Sequence, residues 1–425
     1  MVSPYRHATR PWSPTPKWWC RSSGTGVTDQ TAQKAGAGEV FGAFLKLGLT
    51  SFGGPIAHLG YFRDAFVIRR KWLSETEYAE LVGLCQFLPG PASSQVGFAL
   101  GLRRAGILGA LAAWTGFTLP SALLMIALAL GAAAMEGPLA AGILHGLKLV
   151  AVAVVAQAVL GMARTLTPDA PRAAIAAGAV LLLAMIGGSL GQIAAILAGA
   201  GAGLLLCRGH GADDRGAEMQ GLSRRVGVIC LAVFAVLLAG LPLVAAQGQG
   251  LALFDAFYRA GALVFGGGHV VLPLLEAETV GRGWIGADGF LTGYGTAQAM
   301  PGPLFSFAAY LGAAGTPGPN GIAGGLIATV AIFLPGMLLL VGVLPFWSRV
   351  RTMPLAQAAL AGTNAAVVGI LGAALFDPVF TSAVVSQLDL ALALAGFVAL
   401  VAFRAPPWIV VLALALSGGF IGVVG

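Results

Sequence analysis

Apolar runs of about twenty residues, parted by short polar stretches, recur along almost the whole chain, as bilayer-spanning helices require. Nine read as full spans: roughly 108–134, 139–163, 173–186, 190–207, 226–246, 321–346, 355–375, 382–401 and 407–422. Four further apolar segments are interrupted by glycine and proline. They carry SFGGP (51–55), QFLPGP (86–91), VFGGG (264–268) and QAMPGP (298–303). The pattern predicts an all-α polytopic integral membrane protein with about 13 membrane segments.

Composition agrees. The 425 residues are 57% hydrophobic and only 10% charged, against roughly 25% charged in soluble domains. The 63 glycines suit close packing of membrane helices. A net charge of +7 fits Lys and Arg gathered in cytoplasmic loops, not nucleic-acid binding. Cys20, Cys85, Cys207 and Cys230 show neither CxxC nor metal-type spacing, so no disulfide framework, metal or cofactor is expected.

The chain contains itself twice. FLKLGLTSFGGPIAHLG (44–60) aligns with FYRAGALVFGGGHVVLP (257–273), Trp72 meets Trp284, QFLPGPASS meets QAMPGPLFS, FTLP (117–120) meets IFLP (332–335), and 146–148 meets 362–364. Chance apolar similarity would not keep these marks in order. The expected organisation is a flexible cytoplasmic tail (1–38), a first repeat (39–207), a cytoplasmic linker (208–225), an extra helix (226–250) and a second repeat (251–425). One odd helix between the repeats makes their topologies inverted.

Loop charge orients the chain. With the N-terminus inside, Arg164, Arg172, Arg208, Arg215, Arg224, Arg225, Arg349, Arg351 and Arg404 all fall inside, while the loops near Glu136, Gly187, Gln247 and Asp377 carry almost none. The C-terminus is then periplasmic. The loop holding Arg63, Arg69, Arg70 and Lys71 obeys the same rule only if the interrupted segments dip in and return. Re-entrant hairpins are therefore favoured over broken spans.

Interrupting a helix in lipid exposes backbone groups, tolerated where they are buried in protein or line a cavity. Matching Gly/Pro breaks in inverted halves point to a transporter's binding site near the midplane. A helix that restarts after a break offers free N–H groups and a positive dipole end to an anion. The expected binding residues are Phe52, Gly53, Gly54, Gln86, Pro89, Gly90, Pro91, Ser93 and Ser94, with Gly266, Gly267, Gln298, Pro301, Gly302, Pro303 and Ser306 in the second half. Lys46 and the aligned Arg259 are the expected fixed cations, since ionisable residues at membrane depth are usually functional. Lys148 is a weaker candidate, because its aligned position is Asn364. His58 and His269 are candidates for proton coupling. FTLP and IFLP read as ordinary packing kinks.

Taken together, SFGGPIAHLGYFRDAF, RRKWLSETEYAELVGLCQFLPGP and VFGGGHVVLPLLE resemble the chromate ion transporter family in its long, two-domain form, from about Glu39 to the C-terminus. The resemblance implies chromate efflux, and so chromate resistance, in a bacterial inner membrane. By motif it implies a functional core of Phe52, Gly53, Gly54, Gln86, Pro89, Gly90 and Pro91. A dianion leaving a negative interior across 100 mV gains roughly 4.6 kcal/mol, which favours export by membrane potential, with or without protons. Sulfate uptake and an anion channel are the alternatives. An enzyme is not expected, because the membrane segments hold no HExxH and no paired carboxylates. The expected partners are a chromate- or sulfate-like oxyanion, lipid and, left open, further copies of the chain, with no nucleic acid.

Overall fold

The structure, a computed structural model, describes residues 36–132, 137–207 and 222–424. Most of the expected tail and of the 208–225 linker lies outside the described residues.

All regular elements among the described residues are helical. The first half holds the short helices α1 (Ala37–Thr50), α2 (Gly54–Phe62) and α3 (Glu75–Phe87), then α4 (Ala92–Ala132), α5 (Pro138–Leu166), α6 (Ala170–Ile186) and α7 (Gly188–Leu206). The extra helix is α8 (Arg224–Val244). The second half repeats the series as α9 (Gln249–Ala262), α10 (Val271–Thr279), α11 (Ala287–Ala297), α12 (Phe307–Ala314) and α13 (Gly321–Val343). It continues through α14 (Trp347–Val350), α15 (Pro354–Ala374), α16 (Thr381–Ala383), α17 (Gln387–Val401) and α18 (Pro407–Val424).

Among the described residues, six helical stretches are long and apolar enough to cross a bilayer: Ala92–Gly131, Pro138–Leu166, Gly188–Leu206, Arg224–Gln247, Gly321–Val350 and Pro354–Ala383. The protein is therefore a multi-pass membrane protein. Helices α6, α17 and α18 are apolar but shorter. The span expected from 108 begins earlier, because α4 also takes in the limb after the first PGP turn. A kink at Ala105 and Gly106 (φ +64°) divides the two parts.

The four interrupted segments fold back on themselves. Phe44 and Phe62 each stand nine residues from Gly53, and their ring centroids are 5.5 Å apart; a helix running straight on would separate them by about 27 Å. Glu77 and Arg103, thirteen residues either side of Gly90, form an ion pair. In the second half Arg259 of α9 reaches Glu278 of α10 at 3.4 Å. A Cβ on Gly293 would lie 2.4 Å from the Tyr310 ring, so α11 and α12 also lie side by side. Each element that closes a hairpin has a local cause. Ser74 and Glu77 form a capping box that starts α3, and Gly90 (φ +121°) and Gly302 (φ +98°) take backbone angles that a side chain resists.

The halves are interlocked. Helix α5 packs most extensively on α18 and also on α17, while α15 packs on α7 and α6. Glycine permits the contact. A Cβ on Gly146 would sit 2.2 Å from the Leu414 carbonyl oxygen, and one on Gly362 would sit 2.1 Å from that of Gly199. Small residues let the backbones approach this closely.

Candidate functional site: the junction of the four breaks

When α1 and α9 stop, they leave carbonyls without helical partners, which cannot stay unpaired in an apolar interior. Each is capped from the opposite half. The Gly302 N–H donates to the Ser51 carbonyl at 2.9 Å, and the Gly90 N–H donates to the Val264 carbonyl at 2.8 Å. Ser51 and Val264 are aligned positions, as are Gly90 and Gly302, so the two bonds are reciprocal. The FGG turns also touch, since a Cβ on Gly268 would lie 3.0 Å from Pro55 Cγ. The four breaks thus meet at one place.

FTLP and IFLP do more than kink. Pro120 and Pro335 sit inside α4 and α13, and the residue after each receives the opposite half's PGP turn. A Cβ on Gly302 would come 2.8 Å from Ser121 Oγ, and one on Gly90 would come 3.0 Å from Gly336 Cα. Gln95 Nε2 donates to the Gly336 carbonyl at 2.9 Å and to that of Pro89 at 3.1 Å, which fixes the first PGP turn.

A cavity of about 260 Å³ lies on one side of this junction. Gly53 and Gly54 bring the N-terminal end of α2 to it, Gln298 and Gly302 come from the second PGP hairpin, and His269 follows the second FGG turn. Gln157 of α5 and Arg404, in the turn between α17 and α18, complete its polar lining. Gly54 (φ +77°) has open space where a Cβ would stand, so its backbone is approachable. His269 Nδ1 lies 2.8 Å from the Tyr294 hydroxyl, which leaves Nε2 as the nitrogen a ligand can use. Gln298 Nε2 is buried without a hydrogen-bond partner. Amide ends, one guanidinium, a carboxamide donor and an imidazole suit a small oxyanion.

Several expected residues lie elsewhere. Lys46 is exposed on α1; the buried stripe Val40, Phe44, Gly48 occupies the other side of that helix, and two residues from Phe44 is about 200° of rotation. Arg259 does not line the 260 Å³ cavity. Its Nη2 donates to Asp255 Oδ2 at 2.6 Å, and Arg282 Nη2 donates to Glu278 Oε2 at 2.6 Å. Two buried carboxylates and two guanidiniums thus form a closed cluster, in which Asp255 neutralises the cation expected to serve an anion. Lys148 likewise donates to Asp288 at 2.9 Å.

Gln86 is exposed on α3 and lines a different cavity from Gln298. Ser93 and Ser94 are buried in α4, with Ser93 Oγ 3.4 Å from His58 Nδ1. Ser306 is buried, and its N–H donates to the Pro303 carbonyl. Gly266 is covered by Leu166, Met162 and Asn364. Pro89, Gly90 and Pro91, like Pro301, Gly302 and Pro303, shape the turns; of these only Gly302 lines the 260 Å³ cavity. Phe52 precedes the first turn and is half-buried. His269 lines the cavity; His58 does not.

The sequence pattern does not single out Gln157 or Arg404 as site residues. Gln157 lies in an unbroken apolar run with no motif. Arg404 carries a signal, being the only Lys or Arg after Arg351, but by sequence it reads as a loop charge. Among the described residues no group of three or more His, Cys, Asp or Glu could hold a metal ion.

The chromate transporter profile matches residues 38–204 and again 251–420. The chain belongs to the chromate transporter family. A chromate transport protein of Pseudomonas aeruginosa is 32% identical over 347 residues, covering 80% of each chain. A probable chromate transport protein of Synechococcus elongatus is 30% identical over 340 residues, 78% of this chain and 81% of its own. A chromate transport protein of Cupriavidus metallidurans is 26% identical over 341 residues, 77% and 79% of the two chains. No solved structure matches the chain. As in the two matched regions of this chromate transporter family member, the aligned FGG and PGP breaks occur once in each.

Proposed function

We propose that the protein exports chromate from the cytoplasm of a bacterium across the inner membrane. The observation that carries this reading is the 260 Å³ cavity at the junction, where the start of α2 faces Gln298, His269, Gln157 and Arg404. Membership of the chromate transporter family supports chromate as the cargo. In this reading 39–207 and 251–425 are inverted repeats, the N-terminus is cytoplasmic and the C-terminus periplasmic. The reciprocal bonds between Gly90 and Val264 and between Gly302 and Ser51 support a pseudo-two-fold relation. The membrane potential drives the dianion outward, since each charge crossing 100 mV is worth about 2.3 kcal/mol.

The site acts through this chain's own groups. The first amides of α2 and the Arg404 guanidinium attract the anion, Gln298 and His269 Nε2 donate to its oxygens, and the apolar walls strip part of its water. Flux into everted vesicles tests the reading. Potential-dependent chromate accumulation, weakened in Arg404→Gln at equal protein level, is the expected result. Sulfate uptake into right-side-out vesicles with no chromate export would replace it with the uptake reading.

A further inference from the structure

A second cavity of about 520 Å³ opens between α3 and the turn joining α14 to α15, and so joins the first half to the second. Thr76, Glu80 and Gln86 line one side; Arg351, Gln357 and Trp347 line the other. Arg351 Nη1 donates to both Glu80 carboxylate oxygens, at 2.8 and 3.1 Å. Gln357 Nε2 donates to the Arg351 carbonyl and steadies the turn that carries the guanidinium. Gln86 is the aligned counterpart of Gln298, which lines the first cavity.

We propose that this cavity is a second oxyanion site, where the Glu80 carboxylate holds the place on Arg351 that an arriving oxyanion takes. The inference rests on the oxyanion-transport reading above. Guanidinium geometry suits a carboxylate and a tetrahedral oxyanion alike. Exchanging one anion for another leaves the cation paired throughout, and the cost of an unpaired, partly buried charge passes to the displaced Glu80 carboxylate, which must turn to the water of the open cavity. At about 30 Å³ per water, the volume admits an anion with part of its hydration shell. Thr76 and Gln86 offer further donors on the facing wall. Arg351 lies in a loop that the positive-inside rule puts in the cytoplasm, the side from which an exporter loads. Glu80 sets the affinity: it keeps Arg351 from trapping the cargo.

A purely structural ion pair makes a different forecast, which allows a test. In vesicles holding the full-length protein, chromate flux is measured against concentration for wild type, Glu80→Gln and Arg351→Gln. The site predicts opposite signs: Glu80→Gln lowers the half-saturating chromate concentration several-fold, and Arg351→Gln raises it about tenfold, the worth of one charge-assisted hydrogen bond. Similar losses in both variants would make the pair a latch and overturn the proposal. A binding readout separates this from failure of the transport reading. Chromate quenching of purified protein, reduced in Trp347→Phe and weakened in Arg351→Gln, supports the site even if no flux is found. Quenching that is the same in wild type and Arg351→Gln overturns it.

Discussion

The two FGG hairpins share a backbone plan and differ in nearly everything that closes them. The first is zipped by rings: Phe44 stacks on Phe66 at 4.8 Å, Phe62 meets Phe44 and Phe117, and Phe66 stacks on Trp72. The second is zipped by charges, with Asp255, Arg259, Glu278 and Arg282 paired between α9 and the end of α10. The tips differ as well. Gly53 and Gly54 face a cavity, whereas Gly266 lies under Leu166, Met162 and Asn364. A repeat therefore conserves where the chain turns, and leaves each copy free to become scaffold or site.

The largest expected effect breaks the charged zipper. Arg259→Gln takes the near cation from buried Asp255, which keeps only Arg282 at 3.9 Å while Glu278 stays paired with Arg282, and should cost about 3–5 kcal/mol in detergent unfolding; Lys46→Gln, on the exposed face of α1, should stay within about 0.5 kcal/mol. Equal losses would show that the two aligned cations do the same work after all.

Next comes the turn that both halves share. Gly302→Ala meets Ser121 Oγ and takes an unfavourable φ of +98°, so a loss of about 1–3 kcal/mol is expected. Gly54→Ala has open space and bears mainly the left-handed penalty, about 1–2 kcal/mol. Differential scanning of both variants checks the order, and a Gly54→Ala melt below that of Gly302→Ala would refute it.

At the open tip, Arg404→Gln should raise the half-saturating chromate concentration about tenfold with an unchanged melt, because the side chain is exposed at the cavity. A shifted melt with unchanged flux would move Arg404 out of the site.

The smallest effect concerns pH at the first PGP hairpin. Burial alone would raise the Glu77 carboxyl, but hydrogen bonds from the Ser74 amide, Arg103 and the Ser74 hydroxyl outweigh it and hold the group below its ordinary value of 4.5. A lowered folded value gives stability that is complete above 4.5 and is lost as pH falls below it. Glu77→Gln should flatten that acid limb of the melting curve, and an unchanged limb would assign it to other carboxylates.

Much of the fold could be read in advance from particular residues. Gly53, Gly90, Gly266 and Gly302 stand out as breaks because several helix breakers cluster at each and recur at matching places in both halves, and all four take positive φ. The positive-inside count favoured hairpins through Arg63, Arg69 and Arg70, and the Phe44–Phe62 contact shows the chain turning back there. The site was read less well. Lys46 and Arg259 stood out by charge and alignment, but charge in a sequence does not say whether a carboxylate from another helix is already bound to it. Asp255, four residues before Arg259, was the available clue.

What the sequence determined alone is the class of protein, its repeats and the places where helices stop, because hydropathy and backbone sterics are local properties. What only the tertiary structure decided is which breaks meet, and which polar groups remain for a ligand. Ser51 and Gly302 are separated by half the chain yet bonded. Arg404 and Gln157 reach one cavity from α17–α18 and α5 only because those helices pack through glycine. Pairing of buried polar groups is settled across the halves, where each carbonyl and each guanidinium takes the partner that packing brings within reach.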